Sequence, residues 1–206
     1  MRFRDVHEER LTHRLEAFSD VVLGFSLAQT SLNFVIPHRA VQVYSDPTAL
    51  IAFAFTFFVV STTWYAHHRL FDYFFVPRVP TITLNFTMLG SVAWLVYQLQ
   101  VYARFARTPD HRFAATSYIA TFALAWMLLA LLYVLCVRIR WSDLDVQERR
   151  EGILQIGRIG SIGAGTAVTI TLLTVLRLPA EIAFWLIPAW GAAWRAVSRP
   201  LLARVT

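Results

Sequence analysis

Long apolar runs separated by short polar gaps are the dominant pattern of this 206-residue sequence. A helix needs about 20 apolar residues to cross the hydrocarbon core of a bilayer. Six segments approach or exceed this length, and turn-forming residues, most of them prolines, lie in the gaps. The pattern predicts an all-α, polytopic membrane protein with six transmembrane helices: Leu15–Ile36, Thr48–Ala66, Thr81–Tyr102, Phe113–Val137, Ile153–Leu176 and Ala180–Val197.

The gaps are too short to hold a separate soluble domain, so residues 1–206 are expected to form one transmembrane domain. The segment Met1–Arg14 carries charges of both signs, and no small-residue cleavage site follows the first apolar run. We therefore expect no removable signal peptide. Cys136 is the only cysteine and can form no intrachain disulfide.

Composition and charge agree with a membrane protein. The chain is 57% hydrophobic, whereas soluble domains are about 45–50% apolar. Its net charge of +6 would suggest nucleic-acid binding in a soluble protein, but the arginines lie in the gaps, where membrane proteins keep positive charge. Thirteen arginines fall on one side of the predicted spans and five on the other. This bias predicts that both termini lie in the cytoplasm. We also expect a location in the plasma membrane and, since the membrane accounts for the positive charge, no nucleic-acid partner.

A glycine-rich stretch occurs in the fifth predicted span. Gly157, Ser161 and Gly165 fall at i, i+4 and i+8, on one helical face. A phosphate-binding loop would need a preceding strand and a GK[ST] sequence, and neither is present. Small residues at this spacing allow close helix packing in lipid, which is the interpretation we adopt.

Ionisable residues inside the spans are costly and therefore informative. Asp20 lies about five residues into the first span, and Arg14 points about 240° away from it on the helix, so we expect the partner of Asp20 on another helix. His67 and His68 point about 100° apart and cannot both face one metal ion. Either one of them faces the bundle near Ser19 or Asp20, or both lie in interfacial water.

These residues carry a family resemblance. The first helix resembles the RxxxFSD signature of the transmembrane protein 175 family. The end of the second helix is similar to prokaryotic members of that family, and Asn85 in the third is a weaker match. The residues that carry the resemblance are Arg14, Phe18, Ser19 and Asp20, and then Trp64, His67, His68 and Phe71.

The resemblance implies a potassium-permeable channel in which four identical subunits surround one pore, with the first helix of each lining it. The TVGYG filter of other potassium channels is absent from the family and from this sequence. Large first-helix side chains would form the constriction instead, here Phe25, Gln29 and Leu32. The RxxxFSD residues would hold the helix start through hydrogen bonds to neighbouring helices. The resemblance implies no cofactor, and no metal other than permeant potassium.

The first helix departs from the family pattern at the pore positions. Gln29 stands where an apolar residue is usual, and Ala28 where a threonine linked to selectivity is usual. Periodicity also gives a different candidate pore face, because Ser19, Ser26, Thr30 and Asn33 form a polar stripe about 100° from the family's face. Either the stripe faces water, or it packs on a neighbouring helix while the apolar face meets the axis.

Two other functions fit parts of the sequence. A proton-coupled transporter could use Asp20 and His67 as a relay, although no paired broken helices or internal repeat is present. A membrane enzyme could use Ser19 or Asp20 with His67 as a base. It would lack a GxSxG sequence and a second buried acid, so we do not expect an enzyme.

Overall fold

The computed structural model describes residues 3–32, 47–105, 107–179 and 182–203. Its helices are α1 (Phe3–Leu32), α2 (Pro47–Tyr73), α3 (Val79–Phe105), α4 (His111–Ile139), α5 (Val146–Val175) and α6 (Ile182–Ala203). The prediction of an all-α chain with six helices is confirmed. The predicted span ends at Ile36 and Ala180 lie outside the described residues.

The helices extend beyond the predicted spans. α1 begins at Phe3 rather than Leu15, and α2 continues past Ala66 to Tyr73. Hydropathy identifies only the part of a helix that can lie in lipid. The first turns of α1 are polar, yet Leu11 and Leu15 follow the i, i+4 spacing and pack against the core, which explains why the helix extends there.

Local sequence signals set both ends of α5. At its start, the Asp145 side chain accepts from the Glu148 backbone N–H at 2.8 Å, and the Glu148 side chain accepts from the Asp145 N–H at 2.9 Å. This reciprocal pair is a capping box. At its end, Arg177 takes a positive φ of 57°, and the Leu178 N–H donates to the Leu173 carbonyl at 2.9 Å. The helix thus ends in a Schellman motif.

The core is centred on α4, which packs against α3 and α5. Its side chains Tyr118, Ile119, Leu129 and Tyr133 are fully buried. α1 packs on α2 and α3, whereas α6 packs on α5. By length and composition, α3, α4 and α5 are the described helices that can cross a membrane.

The glycine-rich face of α5 holds α6. A methyl group added at Gly157 would overlap the ring of Trp194, and one added at Gly165 would overlap the ring of Trp190. The Trp190 indole N–H also donates to the Thr169 hydroxyl at 3.0 Å. The glycines lie within a continuous helix, so the packing interpretation is confirmed.

Candidate functional site: the first helix and its contacts

A chain of buried hydrogen bonds connects the first three helices. His67 of α2, Asn85 of α3 and Ser19 of α1 are all inaccessible to solvent. Nε2 of His67 lies 2.7 Å from Oδ1 of Asn85, and Nδ2 of Asn85 lies 3.2 Å from Oγ of Ser19. One amide therefore joins side chains of three helices.

The direction of these hydrogen bonds follows from the number of protons that each group can donate. The Ser19 hydroxyl donates its single proton to the Leu15 carbonyl at 2.8 Å, so its oxygen accepts from the Asn85 amide. The carbonyl oxygen of Asn85 can then only accept, and Nε2 of His67 must carry a proton. Nδ1 of His67 is buried without a hydrogen-bond partner among the described residues.

Asp20 finds its partner on another helix. The indole N–H of Trp64 donates to Oδ1 of Asp20 at 2.8 Å, which joins α1 to α2. The Trp64 ring also stacks on His68, with ring centroids 5.7 Å apart. This hydrogen bond gives the Asp20 carboxyl a partner within the helix bundle. The partner lies on α2, as the poor angle between Asp20 and Arg14 on α1 had indicated.

His68 lies between two carboxylates. Its Nδ1 is 3.1 Å from Oε1 of Glu16, and its Nε2 is 3.5 Å from Oδ2 of Asp72. Of the described residues, these three place metal-ligand atoms within 4.8 Å of one another. Opposite edges of one imidazole ring face the two carboxylates, so pairing of His68 with the acids explains the cluster, and we assign no metal to it.

The remaining signature residues lie at the helix surface. Phe18 is half-exposed and packs edge-to-face against Phe86 of α3, with ring centroids 5.6 Å apart. Arg14 is exposed and makes no hydrogen bond or ion pair to the part of the chain that the structure describes. The structure thus brings Ser19, Asp20, Trp64 and His67 into contacts between helices and leaves Arg14 apart from them.

The polar stripe and the family's constriction positions lie on different faces of α1. Ser26 and Thr30 are buried, and their hydroxyls donate to the Val22 and Leu27 carbonyls of their own helix. Phe25 is 66% exposed, and Gln29 is also exposed. Leu32 ends α1, but its side chain and all of Asn33 lie outside the described residues.

Two polar residues of this site were not assigned from the sequence. Asn85 is the central link of the buried chain, although it stood out only as a weak family match. Its signal is an amide within an apolar helix, where it must find partners. Glu16 was overlooked, and its signal is a carboxylate one turn before Asp20, on the same helical face.

A family model matches the part of the chain that carries this geometry, over 83 of its 206 residues. The family model described as endosomal/lysosomal potassium channel TMEM175 matches residues 14–96, which hold the signature of α1, all of α2 and most of α3. The family resemblance is confirmed. The TMEM175 family is one of potassium channels and not of enzymes, so the enzyme interpretation of Ser19, Asp20 and His67 is set aside. No curated protein matches the sequence.

Solved structures share the fold. One is a crystal structure of a lysosomal potassium-selective channel TMEM175 homolog from Chamaesiphon minutus, with a TM-score of 0.65 and 20% identity, covering 90% of this chain and 98% of that one. Another is a variant of the potassium channel MtTMEM175 in complex with a nanobody–MBP fusion protein, with a TM-score of 0.62 and 19% identity, covering 90% of this chain and 92% of that one. The chain is an integral membrane protein with a TMEM175-like fold.

Proposed function

We propose that the chain, with residues 1–206 as one channel domain, is the subunit of a homotetrameric, potassium-permeable channel. In this proposal α1 of each subunit lines the pore, and Phe25, Gln29 and Leu32 form the constriction. The channel lies in the plasma membrane, with all termini in the cytoplasm as the arginine bias favours. Support comes from the potassium-channel family that matches residues 14–96 and from the solved channels that share the fold.

The observation that carries the choice of pore face is the burial pattern of α1. The hydroxyls of Ser19, Ser26 and Thr30 bond to carbonyls of their own helix, so their face can pack inside the subunit without water. The face about 100° away from this stripe is exposed and carries the amide of Gln29. A polar amide facing hydrocarbon is unfavourable, and a hydrated axis or a neighbouring subunit removes that cost.

Small residues on the exposed side favour close approach of symmetry-related helices. Gly24 and Ala28 are both exposed, one turn apart, beside Phe25 and Gln29. A methyl group added at Gly24 would meet nothing within 4 Å in the subunit. Small residues one turn apart allow helices to pack closely in a membrane. Four copies around an axis would place a ring of amides next to rings of apolar side chains.

The contacts of Asp20 and His67 favour the channel over the transporter. A proton relay needs these two groups to exchange protons directly or through water. Asp20 instead accepts from the Trp64 indole, and His67 donates to Asn85 within a fully buried site. Both side chains are therefore assigned to holding α1 against α2 and α3.

Reconstitution tests the proposal. Purified protein in planar bilayers with asymmetric potassium and sodium should give unitary, ohmic currents that persist without a proton gradient. Protein-free bilayers serve as the control. Proton-driven uptake into liposomes without unitary current would support the transporter instead. Ala28 and Gln29 replace the residues that are usual in the family at these positions. The reversal potential therefore measures the selectivity of this protein and does not decide between channel and transporter.

A further inference from the structure

A groove of about 650 Å³ lies between α2, α4, α5 and α6. This volume is within the range of about 300–1,000 Å³ that is usual for small-molecule sites. Its lining contains no residue of α1, so it is separate from the proposed pore face. Ligand binding in this groove is therefore independent of potassium conduction.

The long walls of the groove are apolar and aromatic. α2 contributes Phe58 and Tyr65, and α4 contributes Phe122 and Trp126. α6 supplies small residues on the opposite wall, among them Ala192. Trp190 and Trp194 of α6 pack against the glycine face of α5. Such walls fit a hydrocarbon chain and offer little to a water-soluble solute.

Two arginines line the same groove. Arg158 of α5 is half-buried and Arg195 of α6 is exposed. Neither guanidinium forms a hydrogen bond or ion pair with the described residues. Arg158 lies within electrostatic range of Arg195 and also of Arg69 and Glu151. The nearby acid, Glu151, pairs with Arg69 at 3.1 Å. Among the described residues, neither groove arginine forms a direct ion pair with an acid, so an anionic ligand could still bind both guanidinium groups.

The position of the arginines favours one kind of ligand. Arg158 lies within a predicted span, where an unpaired charge is costly. Arg195 lies near the end of the sixth predicted span, on the side that the arginine bias assigns to the cytoplasm. Guanidinium groups bind phosphate oxygens in a bidentate manner, and basic pockets between transmembrane helices on this side bind anionic head groups.

We propose that this groove binds an anionic phospholipid of the cytoplasmic leaflet. Its phosphate contacts Arg158 and Arg195, and an acyl chain lies along the aromatic wall of α2 and α4. The apolar wall favours a lipid over a free phosphate, and the paired positive charges favour an anionic over a zwitterionic lipid. A second copy of the chain fits less well, because its α6 surface would bring the same positive charge.

Native mass spectrometry of the full chain tests this assignment. Titration with dioleoylphosphatidylglycerol should show binding about thirtyfold tighter than titration with dioleoylphosphatidylcholine, since each arginine contributes about a factor of five. The double variant R158Q/R195Q should lose this preference. The matched variant R10Q/R138Q removes two exposed arginines that lie outside the groove, and it should keep the preference.

A second variant tests the apolar wall without touching the charges. Ala192→Phe fills the groove and should weaken binding of both lipids, so the proposal can still be tested if R158Q/R195Q does not fold. Equal binding of the two lipids to the unmodified protein would overturn the proposal. So would displacement of the lipid by glycerol phosphate, which would indicate a site for a small anion, or lipid preference confined to monomers, which would indicate a second copy in the groove.

Discussion

Nε2 of His67 lies 2.7 Å from Oδ1 of Asn85, and this contact joins α2 to α3 in the interior of the subunit. Because Asn85 also donates to Ser19 at 3.2 Å, the position of α1 depends on the same amide. These buried hydrogen bonds therefore fix the position of α1, and with it the face that we assign to the pore.

Replacing the central amide should loosen the first three helices together. In Asn85→Leu, the Nε2–H of His67 loses its acceptor and the oxygen of Ser19 loses a donor, both in a buried site. Each buried group left unsatisfied costs about 1–3 kcal/mol. We expect a lower melting temperature in detergent and a lower tetramer yield. His67→Ala should act in the same direction, because it leaves the Asn85 carbonyl unpaired.

Thr87→Val is the matched control for this change. Thr87 lies on the same helix but is exposed, and its hydroxyl donates to the Thr83 carbonyl of its own helix. Its loss should change the melting temperature little. A melting temperature of Asn85→Leu equal to that of Thr87→Val would show that the buried chain contributes no stability.

The bond between Asp20 and Trp64 should appear as an energetic coupling. Asp20→Ala, which removes the acceptor, and Trp64→Phe, which removes the donor, should each destabilise the subunit, while the double variant should cost less than the sum of the two. We expect a coupling of about 1–2 kcal/mol, which a double-mutant cycle of unfolding free energies measures. Additive effects would mean that the 2.8 Å contact does not contribute to stability.

An Asp20→Asn variant separates the structural role from the relay, because an amide cannot carry the proton of a carboxyl group. We expect it mainly to reduce stability and tetramer yield. Full assembly combined with loss of proton-coupled uptake would instead assign Asp20 to proton transfer.

Two glycines of α5 should respond differently to substitution by alanine. Gly157→Ala should destabilise the subunit by about 1–3 kcal/mol, because the added methyl group overlaps the Trp194 ring. Gly160→Ala places its methyl group 3.8 Å from that of Ala130, an ordinary contact. It should be neutral or stabilising, because alanine is the better helix former. Thermal unfolding of both variants tests the packing of α6 on α5, and equal effects would contradict it.

The sequence predicted the helices well because hydropathy and proline position act locally. All six were expected, and the glycine face of α5 was correctly assigned to packing, since spacing on one helix is visible in the chain itself. The polar start of α1 was missed because a helix outside lipid has no apolar run to mark it.

Contacts between helices were less accessible to sequence analysis. The angle between Arg14 and Asp20 on one helix pointed to a partner elsewhere, but no spacing rule selects Trp64, 44 residues away. The stripe of Ser26 and Thr30 was ambiguous for a physical reason. A hydroxyl that donates to a carbonyl of its own helix can be buried without water. The periodicity of such residues therefore does not show whether their face packs inside the subunit or lines the pore.

The oligomeric state is the simplest requirement of the channel proposal. A single six-helix bundle of this size leaves little room for a hydrated path, whereas a ring of four subunits creates one at its axis. Native mass spectrometry in mild detergent and in nanodiscs should therefore show tetramers. Detection of only monomers or dimers under both conditions would argue strongly against a shared pore.

Cysteine accessibility during current recording tests most directly whether α1 lines a conducting pore. Cys136 is the only native cysteine and is buried, so the unmodified protein serves as the control. Gln29→Cys should react quickly with a small water-borne thiol reagent and lose its potassium current. Thr30→Cys, whose side chain faces the subunit interior, should react slowly and keep its current. Fast block at position 30 with none at position 29 would make the Ser26–Thr30 face the pore. The absence of any potassium current to block in the unmodified protein would contradict the channel itself.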